Sequence, residues 1–210
     1  MCWSGGHVDA RIVLMLLFLP GFATPPSAYD ALLAPVRDLG MAVTVPRLYG
    51  LDGYLGRYTA ADEARDAAEL VAGEPRVWLA GHSRGGQVAW RMASILDPAA
   101  LAGLVVIDPV DGYGPRSSPT ATASPVTFSC PTLIIGGGLG GRCAPAALNH
   151  EQFARAMPTA EHVVLADMGH ADILCGGPLR WGRRLCGGGD DPAAVRAQVT
   201  ALLVAFIQRG

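Results

Sequence analysis

The sequence predicts an α/β protein with a mostly parallel sheet of about six strands and helices on both faces. Short apolar runs of the kind that form strands buried on both faces alternate along the chain with helix-like segments. Several of these runs end in Gly, Pro or Asp, which is typical of a strand that passes into a loop. This alternation favours parallel strands joined by right-handed helical crossovers.

The elements are assigned from these runs in chain order. The first strand is predicted at residues 12–19, where a continuous apolar run precedes Pro20. Further strands are predicted at residues 41–45, 76–79, 103–107, 132–135 and 161–165. Helices are predicted at residues 27–39, 62–71, 87–96, 146–157 and 195–207. Ser27 can cap the first helix, and Pro35 should kink it or delay its start. Residues 111–125, rich in Gly, Pro, Ser and Thr, predict an exposed loop.

Composition limits the class of protein. With 210 residues, half of them apolar, the chain suits a single domain over residues 1–210, without a separate cap domain. A net charge of -2 with only 16 Lys plus Arg leaves no basic stripe, so we expect no nucleic-acid partner. The run at residues 12–19 is too short to be a transmembrane anchor. Its flanks imitate a short signal peptide, but we favour a strand.

The five cysteines show no C-x-x-C spacing, so we expect no structural zinc site. Cys175 and Cys186 flank an insertion rich in Gly and Arg and could close it as a disulfide in an oxidising compartment. Two reduced thiols are the alternative. We expect a cytoplasmic protein, or a secreted one if that disulfide forms.

The central motif is Gly81-His82-Ser83-Arg84-Gly85, which lies between an apolar run and a helix-like segment. Residues 81–85 form a G-x-S-x-G turn between strand and helix, called the elbow below. In such a turn the serine sits in a strained backbone conformation, and the flanking glycines let the chain cross itself closely. The backbone N–H of Arg84 and the helix N-terminus would stabilise negative charge beside the hydroxyl. The motif predicts that Ser83 is a nucleophile, with a Gly-rich turn before a helix as the alternative.

A serine nucleophile needs an imidazole base and a carboxylate that orients the imidazole. His170 follows a strand end through a short Gly-containing turn late in the chain, as the order Ser, acid, His requires. We therefore expect His170 to be the base. We expect three other histidines to be structural. They are His82 within the elbow, His150 in a helical stretch and His162 at the start of a strand.

Several aspartates near predicted loop ends could orient the base. Asp108 comes directly after strand residues, so the sheet would fix its position, whereas Asp111 lies further into a flexible-looking loop. We choose Asp108 and keep Asp111 as the alternative. Either could also be an ordinary turn aspartate beside Pro109.

Residues 136–141 satisfy the G-x-G-x-x-G pattern of dinucleotide sites. That pattern needs a helix that begins within the glycines, but Arg142-Cys143-Ala144-Pro145 separates them from the next predicted helix. We therefore expect a tight loop here and no cofactor.

These motifs together resemble the chlorophyllase branch of the α/β-hydrolase superfamily. Besides the elbow, the resemblance rests on Ile107-Asp108-Pro109-Val110-Asp111-Gly112, Cys143-Ala144-Pro145, Asn149-His150-Glu151, Phe153 and Gly169-His170-Ala171-Asp172. It implies the α/β-hydrolase fold and ester hydrolysis without a cofactor, which in the plant enzymes releases phytol from chlorophyll. It also implies a triad at Ser83, Asp108 and His170. The implied oxyanion hole uses the backbone N–H groups of Phe22 and Arg84.

We therefore predict a serine-dependent carboxylic ester hydrolase that works through an acyl-enzyme. The alternatives are a chlorophyllase proper, an acyltransferase on the same triad, and a non-catalytic ligand-binding protein of the same fold. The high Ala, Gly and Arg content is typical of a GC-rich bacterial genome, where chlorophyll need not be present.

The expected partner is a small ester. Residues 111–125 should form one wall of its pocket, with Tyr113, Phe22 and Met168 as apolar lining, although these residues could instead pack together beneath the loop. Without a cap domain the pocket should be shallow and open. Short to medium acyl esters should then be cleaved without a lipid interface.

Overall fold

The structure is a computed structural model that describes residues 14–48, 59–112 and 119–210. Its strands are β1 (Met15–Leu19), β2 (Ala42–Thr44), β3 (Val77–His82), β4 (Leu101–Ile107), β5 (Thr132–Gly137) and β6 (Glu161–Leu165). They form one six-stranded sheet in the order β2-β1-β3-β4-β5-β6, and every neighbouring pair is parallel. The predicted fold class is confirmed, since each predicted strand is present within a few residues of its predicted bounds.

Helices cover both faces of this sheet. On one face lie α1 (Asp30–Asp38), preceded by a 3-10 turn (Pro26–Tyr29), and the C-terminal helix α6 (Pro192–Arg209). On the other face lie α2 (Ala60–Glu69), α3 (Arg84–Ile95) and α4 (His150–Ala156). Successive residues of β1 alternate between the two cores, and all four residues from Leu16 to Leu19 are fully buried. Burial on both faces explains why this strand is a continuous apolar run.

One helix lies where the sequence predicts only an insertion rich in Gly and Arg. This helix, α5 (Gly176–Cys186), follows the turn after β6, and none of its residues is fully buried. Among the helices within the described ranges, none is long and apolar enough to cross a bilayer.

The structure does not contain the disulfide that the sequence analysis considers between Cys175 and Cys186, so that pairing is wrong. Cys186 pairs with Cys143, with a Cα–Cα distance of 5.2 Å, and Cys175 is a free thiol. Cys175 caps the start of α5 and Cys186 is its last residue, so about 16 Å of helix separates them. A disulfide needs Cα atoms within about 7 Å, which α5 prevents.

The sheet brings the predicted site residues to one edge. Ser83 follows β3 directly, Asp108 follows β4 directly, and His170 lies in the turn after β6. Phe22 lies in the loop after β1. Ligands of open parallel sheets bind at the carboxyl ends of the strands, so this edge is the place to look for a site.

Candidate active site

The turn at Ser83 has the strained geometry that its motif predicts. Ser83 connects β3 to α3 with φ 56° and ψ -123°, a conformation that non-glycine residues rarely adopt. The chain crosses itself on both sides of the serine. A Cβ on Gly81 would lie 2.3 Å from the carbonyl oxygen of Gly85, and one on Gly85 would lie 2.1 Å from that of Leu19. Only glycine fits at these two positions, so the motif's glycines are needed for its shape.

Ser83, His170 and Asp108 are joined by two hydrogen bonds. His170 Nε2 lies 2.8 Å from Ser83 Oγ, and His170 Nδ1 lies 2.6 Å from Asp108 Oδ2. Because a carboxylate can only accept, Nδ1 carries the proton of the imidazole. Nε2 of the neutral ring is then free to accept the proton of the Ser83 hydroxyl. Such an arrangement can activate a serine as a nucleophile.

Asp108 is held as a carboxylate although it is fully buried. Burial alone would raise its pKa, but the hydrogen bond and charge of His170 and the bond from the Gly137 N–H outweigh burial and lower the pKa. The Gly137 N–H donates to Asp108 Oδ1 at 3.0 Å, on the side away from His170. Asp108 itself has a positive φ of 40°. Both carboxylate oxygens are therefore fixed by hydrogen bonds.

Asp111 serves a different purpose. Its carboxylate accepts hydrogen bonds from Gln87 Nε2 at 2.6 Å and from the backbone N–H groups of Ala121 and Thr122 at 2.9 and 2.7 Å. These bonds tie the loop at residues 120–122 to helix α3. Asp111 therefore organises a loop and does not contact His170.

Ser83 and His170 line a cavity of about 860 Å³, a volume that suits a small-molecule ligand. Helix α5 forms one wall of this cavity, although the sequence analysis does not place this segment in the pocket. The large apolar side chains of the lining include Phe22, Val110, Leu174, Trp181 and Leu185.

The predictions for the individual pocket residues differ in how they compare with the structure. Phe22 lines the cavity, and Gly112 shows that the start of the loop at residues 111–125 borders it. Tyr113 lies outside the described residues. Met168 does not line the cavity, contrary to the prediction, because its side chain is fully buried in the core beneath α1 and α6.

Arg84 presents its backbone and its side chain to different partners. It is the first residue of α3, so its backbone N–H lies at the helix N-terminus beside Ser83. Its guanidinium bonds to Glu63 Oε2 and to Gln87 Oε1, each at 2.9 Å. The side chain is thereby anchored on α2 and α3. Phe22 and Arg84 both line the cavity.

The glycine-rich motif at residues 136–141 does not begin a helix, although its glycines border a second cavity of about 450 Å³. Gly136 and Gly137 end strand β5, the later glycines form a loop, and the next helix begins only at His150. His150 is hydrogen-bonded to His162, with 2.9 Å between Nδ1 and Nε2. No group of three or more His, Cys, Asp or Glu residues suited to a metal ion occurs in the part of the chain that the structure describes.

A family model described as Chlorophyllase matches residues 12–210. The chain belongs to the chlorophyllase family. This membership makes it a hydrolase of ester bonds. It is 40% identical over 190 residues to Chlorophyllase-1 of Arabidopsis thaliana, a match that covers 76% of this chain and 59% of the relative. It is 29% identical over 231 residues to the chloroplastic Chlorophyllase-1 of Citrus unshiu, covering 92% of this chain and 67% of the relative. Because these relatives are plant proteins, they lend no support to the expected bacterial origin.

Solved structures support the fold. An esterase from Thermogutta terrifontis superposes with a TM-score of 0.63 at 19% identity, covering 92% of this chain and 90% of the esterase. A structure reported for the metagenome-derived lipolytic enzymes LipS and LipT also gives 0.63 at 16% identity, covering 94% of each chain. At these identities the likeness shows the fold alone, which is the α/β-hydrolase fold.

Proposed function

We propose that this member of the chlorophyllase family is a serine-dependent carboxylic ester hydrolase that forms an acyl-enzyme on Ser83. The observation that supports this best is the line of hydrogen bonds from Asp108 through His170 to Ser83, at 2.6 and 2.8 Å. The line ends at the wall of a cavity large enough for an ester.

In the first half of the reaction, His170 Nε2 takes the proton of Ser83 as Oγ attacks the ester carbonyl carbon. Asp108 keeps the proton on Nδ1 and stabilises the imidazolium that forms. The carbonyl oxygen becomes an oxyanion, which the backbone N–H groups of Phe22 and Arg84 would stabilise. When the tetrahedral intermediate collapses, His170 gives its proton to the leaving alcohol and the acyl group stays on Ser83.

In the second half, a water molecule replaces the alcohol. His170 takes a proton from this water, the hydroxide attacks the acyl carbon, and Ser83 recovers its proton as the acid leaves. An acyltransferase would use the same steps with an alcohol in place of water. The fate of the acyl group in a mixture of water and alcohol separates the two activities.

The lining favours esters with a bulky apolar group. Phe22, Leu174 and Trp181 present apolar surface to the cavity, whereas few charged side chains do so. Since its plant relatives are named chlorophyllases, chlorophyll is the natural substrate to test first. The Cys143–Cys186 disulfide favours a compartment that is not strongly reducing, rather than the expected cytoplasm.

Hydrolysis of a p-nitrophenyl ester series and of detergent-solubilised chlorophyll a tests this proposal. Wild-type protein should release p-nitrophenol, and Ser83→Ala should lower kcat by about 10⁴ or more. Ser94→Ala is the matched control, because Ser94 lies on α3 and its hydroxyl donates to the carbonyl oxygen of Trp90 in the same helix. Equal loss of activity in both variants, or none in Ser83→Ala, contradicts the proposal. Whether chlorophyllide is released from chlorophyll a tests separately whether chlorophyll is a substrate.

A further inference from the structure

His82 is the buried residue of the elbow that the proposed reaction leaves without a role. It is 2% exposed and immediately precedes Ser83. Its Nε2 lies 2.9 Å from the backbone carbonyl oxygen of His170, and its Nδ1 lies 2.8 Å from the hydroxyl oxygen of Tyr29. The hydroxyl of Tyr29 accepts a hydrogen bond from the backbone N–H of Gly21 at 2.8 Å. One chain of bonds therefore joins the loop after β1, the elbow and the turn that carries His170.

The donor and the acceptor of each hydrogen bond in this series follow from the groups at its two ends. The carbonyl oxygen of His170 can only accept, so His82 Nε2 carries the hydrogen. Nδ1 of the neutral ring must then accept, and Tyr29 donates its hydroxyl proton to it. The Gly21 N–H fills a lone pair of the same oxygen. All three groups are satisfied without any ionisation.

Burial keeps these protons in place. Burial first, and then repulsion by His170, lower the pKa of His82 to about 3. Burial also raises the pKa of Tyr29, although the bonds from Gly21 and Thr24 oppose it. Near neutral pH both side chains therefore stay neutral.

Ring packing also holds the hydrogen-bonded side chains of Tyr29 and His82 in place. The rings of His82 and His170 lie 4.8 Å apart between centroids, and Tyr29 packs against Phe18 at the same separation. A Cβ on Gly21 would lie 3.1 Å from His82 Nδ1 and 3.4 Å from Ser83 Cβ, so this loop passes directly over the elbow. The loop cannot shift far without breaking its bond to Tyr29, and the turn cannot shift far without breaking its bond to His82.

We propose that Tyr29 and His82 are positioning residues that fix the loop carrying Gly21 and Phe22, and the backbone of His170, relative to Ser83. This inference rests on the proposed triad and oxyanion hole. The Gly21 N–H bond fixes the start of the loop whose next amide, that of Phe22, would stabilise the oxyanion in the proposed reaction. The His170 carbonyl bond fixes the turn that presents the base. The two bonds would keep the oxyanion donor and the base aligned with the nucleophile.

Tyr29→Phe is the sharpest test, because it keeps the ring and removes only the hydroxyl. We expect kcat on p-nitrophenyl butyrate to fall by about tenfold to a hundredfold with KM changed less than about twofold. Affinity for butylboronic acid, which forms a tetrahedral adduct on the serine, should fall in parallel with kcat/KM. His82→Gln should recover part of the loss relative to His82→Ala, because a Gln amide can donate to the His170 carbonyl.

Phe18→Leu is the matched control for packing, since Phe18 contacts the ring of Tyr29 without joining the hydrogen bonds. It should lower the melting temperature while leaving kcat near wild type. If Tyr29→Phe keeps wild-type kcat and boronate affinity while Ser83→Ala is inactive, the positioning role is wrong and the proposed function stands. If Ser83→Ala retains activity, the proposed function itself fails. A kcat loss in Phe18→Leu equal to that in Tyr29→Phe also overturns the positioning role.

Discussion

Cys143 and Cys186 form a disulfide, and both half-cystines line the cavity that contains Ser83. Cys186 is the last residue of α5, and the bond closes a loop with a sequence separation of 43 residues. Since no residue of α5 is fully buried, the helix has little core packing of its own. The disulfide is therefore one attachment of this wall of the cavity, beside the ion pair between Arg183 and Asp172.

Breaking that bond should loosen the cavity wall. Cys143→Ala with Cys186→Ala, or reduction with dithiothreitol, should lower the free energy of unfolding by about 3 kcal/mol. Hydrolysis of bulky apolar esters should fall more than that of p-nitrophenyl acetate. Denaturant unfolding and ester kinetics measure both effects. Cys175→Ser is the control, because Cys175 is a free thiol. Identical unfolding of oxidised and reduced protein would contradict this account.

Trp181 should set the preference for bulky apolar esters. It lines the cavity yet is 65% exposed, so it lies at the rim, where a substrate would cover it. Trp181→Ala should lower kcat/KM for p-nitrophenyl octanoate by about tenfold and leave the acetate ester nearly unchanged. Ile95→Ala serves as control, because Ile95 is an exposed apolar residue that does not line this cavity. An equal loss on acetate and octanoate would argue against contact with the apolar group.

Mutation of Asp108 and mutation of Asp111 should have different effects, the first on kcat and the second on stability. Asp108→Asn would leave His170 in the wrong tautomer, so kcat should fall by up to about 10⁴ with stability changed little. Asp111→Asn would weaken the bonds to the loop at residues 120–122, so it should lower the melting temperature and leave kcat within a few-fold. The reverse pattern, a silent Asp108→Asn and an inactive Asp111→Asn, would show that Asp111 is the acid.

Buried His82 should make stability depend on pH. Its pKa of about 3 in the folded protein lies below the ordinary value of 6.5, so the unfolded chain takes up the proton first. Its contribution is therefore complete above pH 6.5 and is lost as the pH falls toward 3. The slope for one such group reaches about 1.4 kcal/mol per pH unit.

Urea unfolding between about pH 7 and pH 4.5 measures this slope, which His82→Gln should reduce. The groups facing His82 are Tyr29, which stays neutral, and His170 with Asp108. The lowered pKa of Asp108 acts only below about pH 4, outside this window. His162, whose pKa burial also lowers, is unchanged in the variant. Equal slopes for both proteins would contradict a buried neutral His82.

The sequence predicts the sheet and the elbow well because their signals are local. Residues 77–82 are all buried in β3, and Gly81 is required by a contact with Gly85 within the same turn. Helix α5 escapes prediction because Gly176, Gly177 and Pro178 open it and Gly182 lies in its middle, and these residue types normally indicate a loop. The Tyr29–His82 bond joins residues 53 positions apart, and the Cys143–Cys186 pairing likewise depends on the folded chain. Such contacts leave no periodic pattern in the sequence.

The central claim is that Ser83 is a nucleophile activated by His170. Incubation with a fluorophosphonate probe, followed by intact mass and peptide mapping, tests it most directly. We predict a single adduct on wild-type protein and on Ser94→Ala, located on Ser83, and slow labelling of His170→Ala. Ser83→Ala should show no adduct while remaining folded by circular dichroism. Labelling of Ser83→Ala at the wild-type rate, or an adduct that maps to another residue, would contradict the claim.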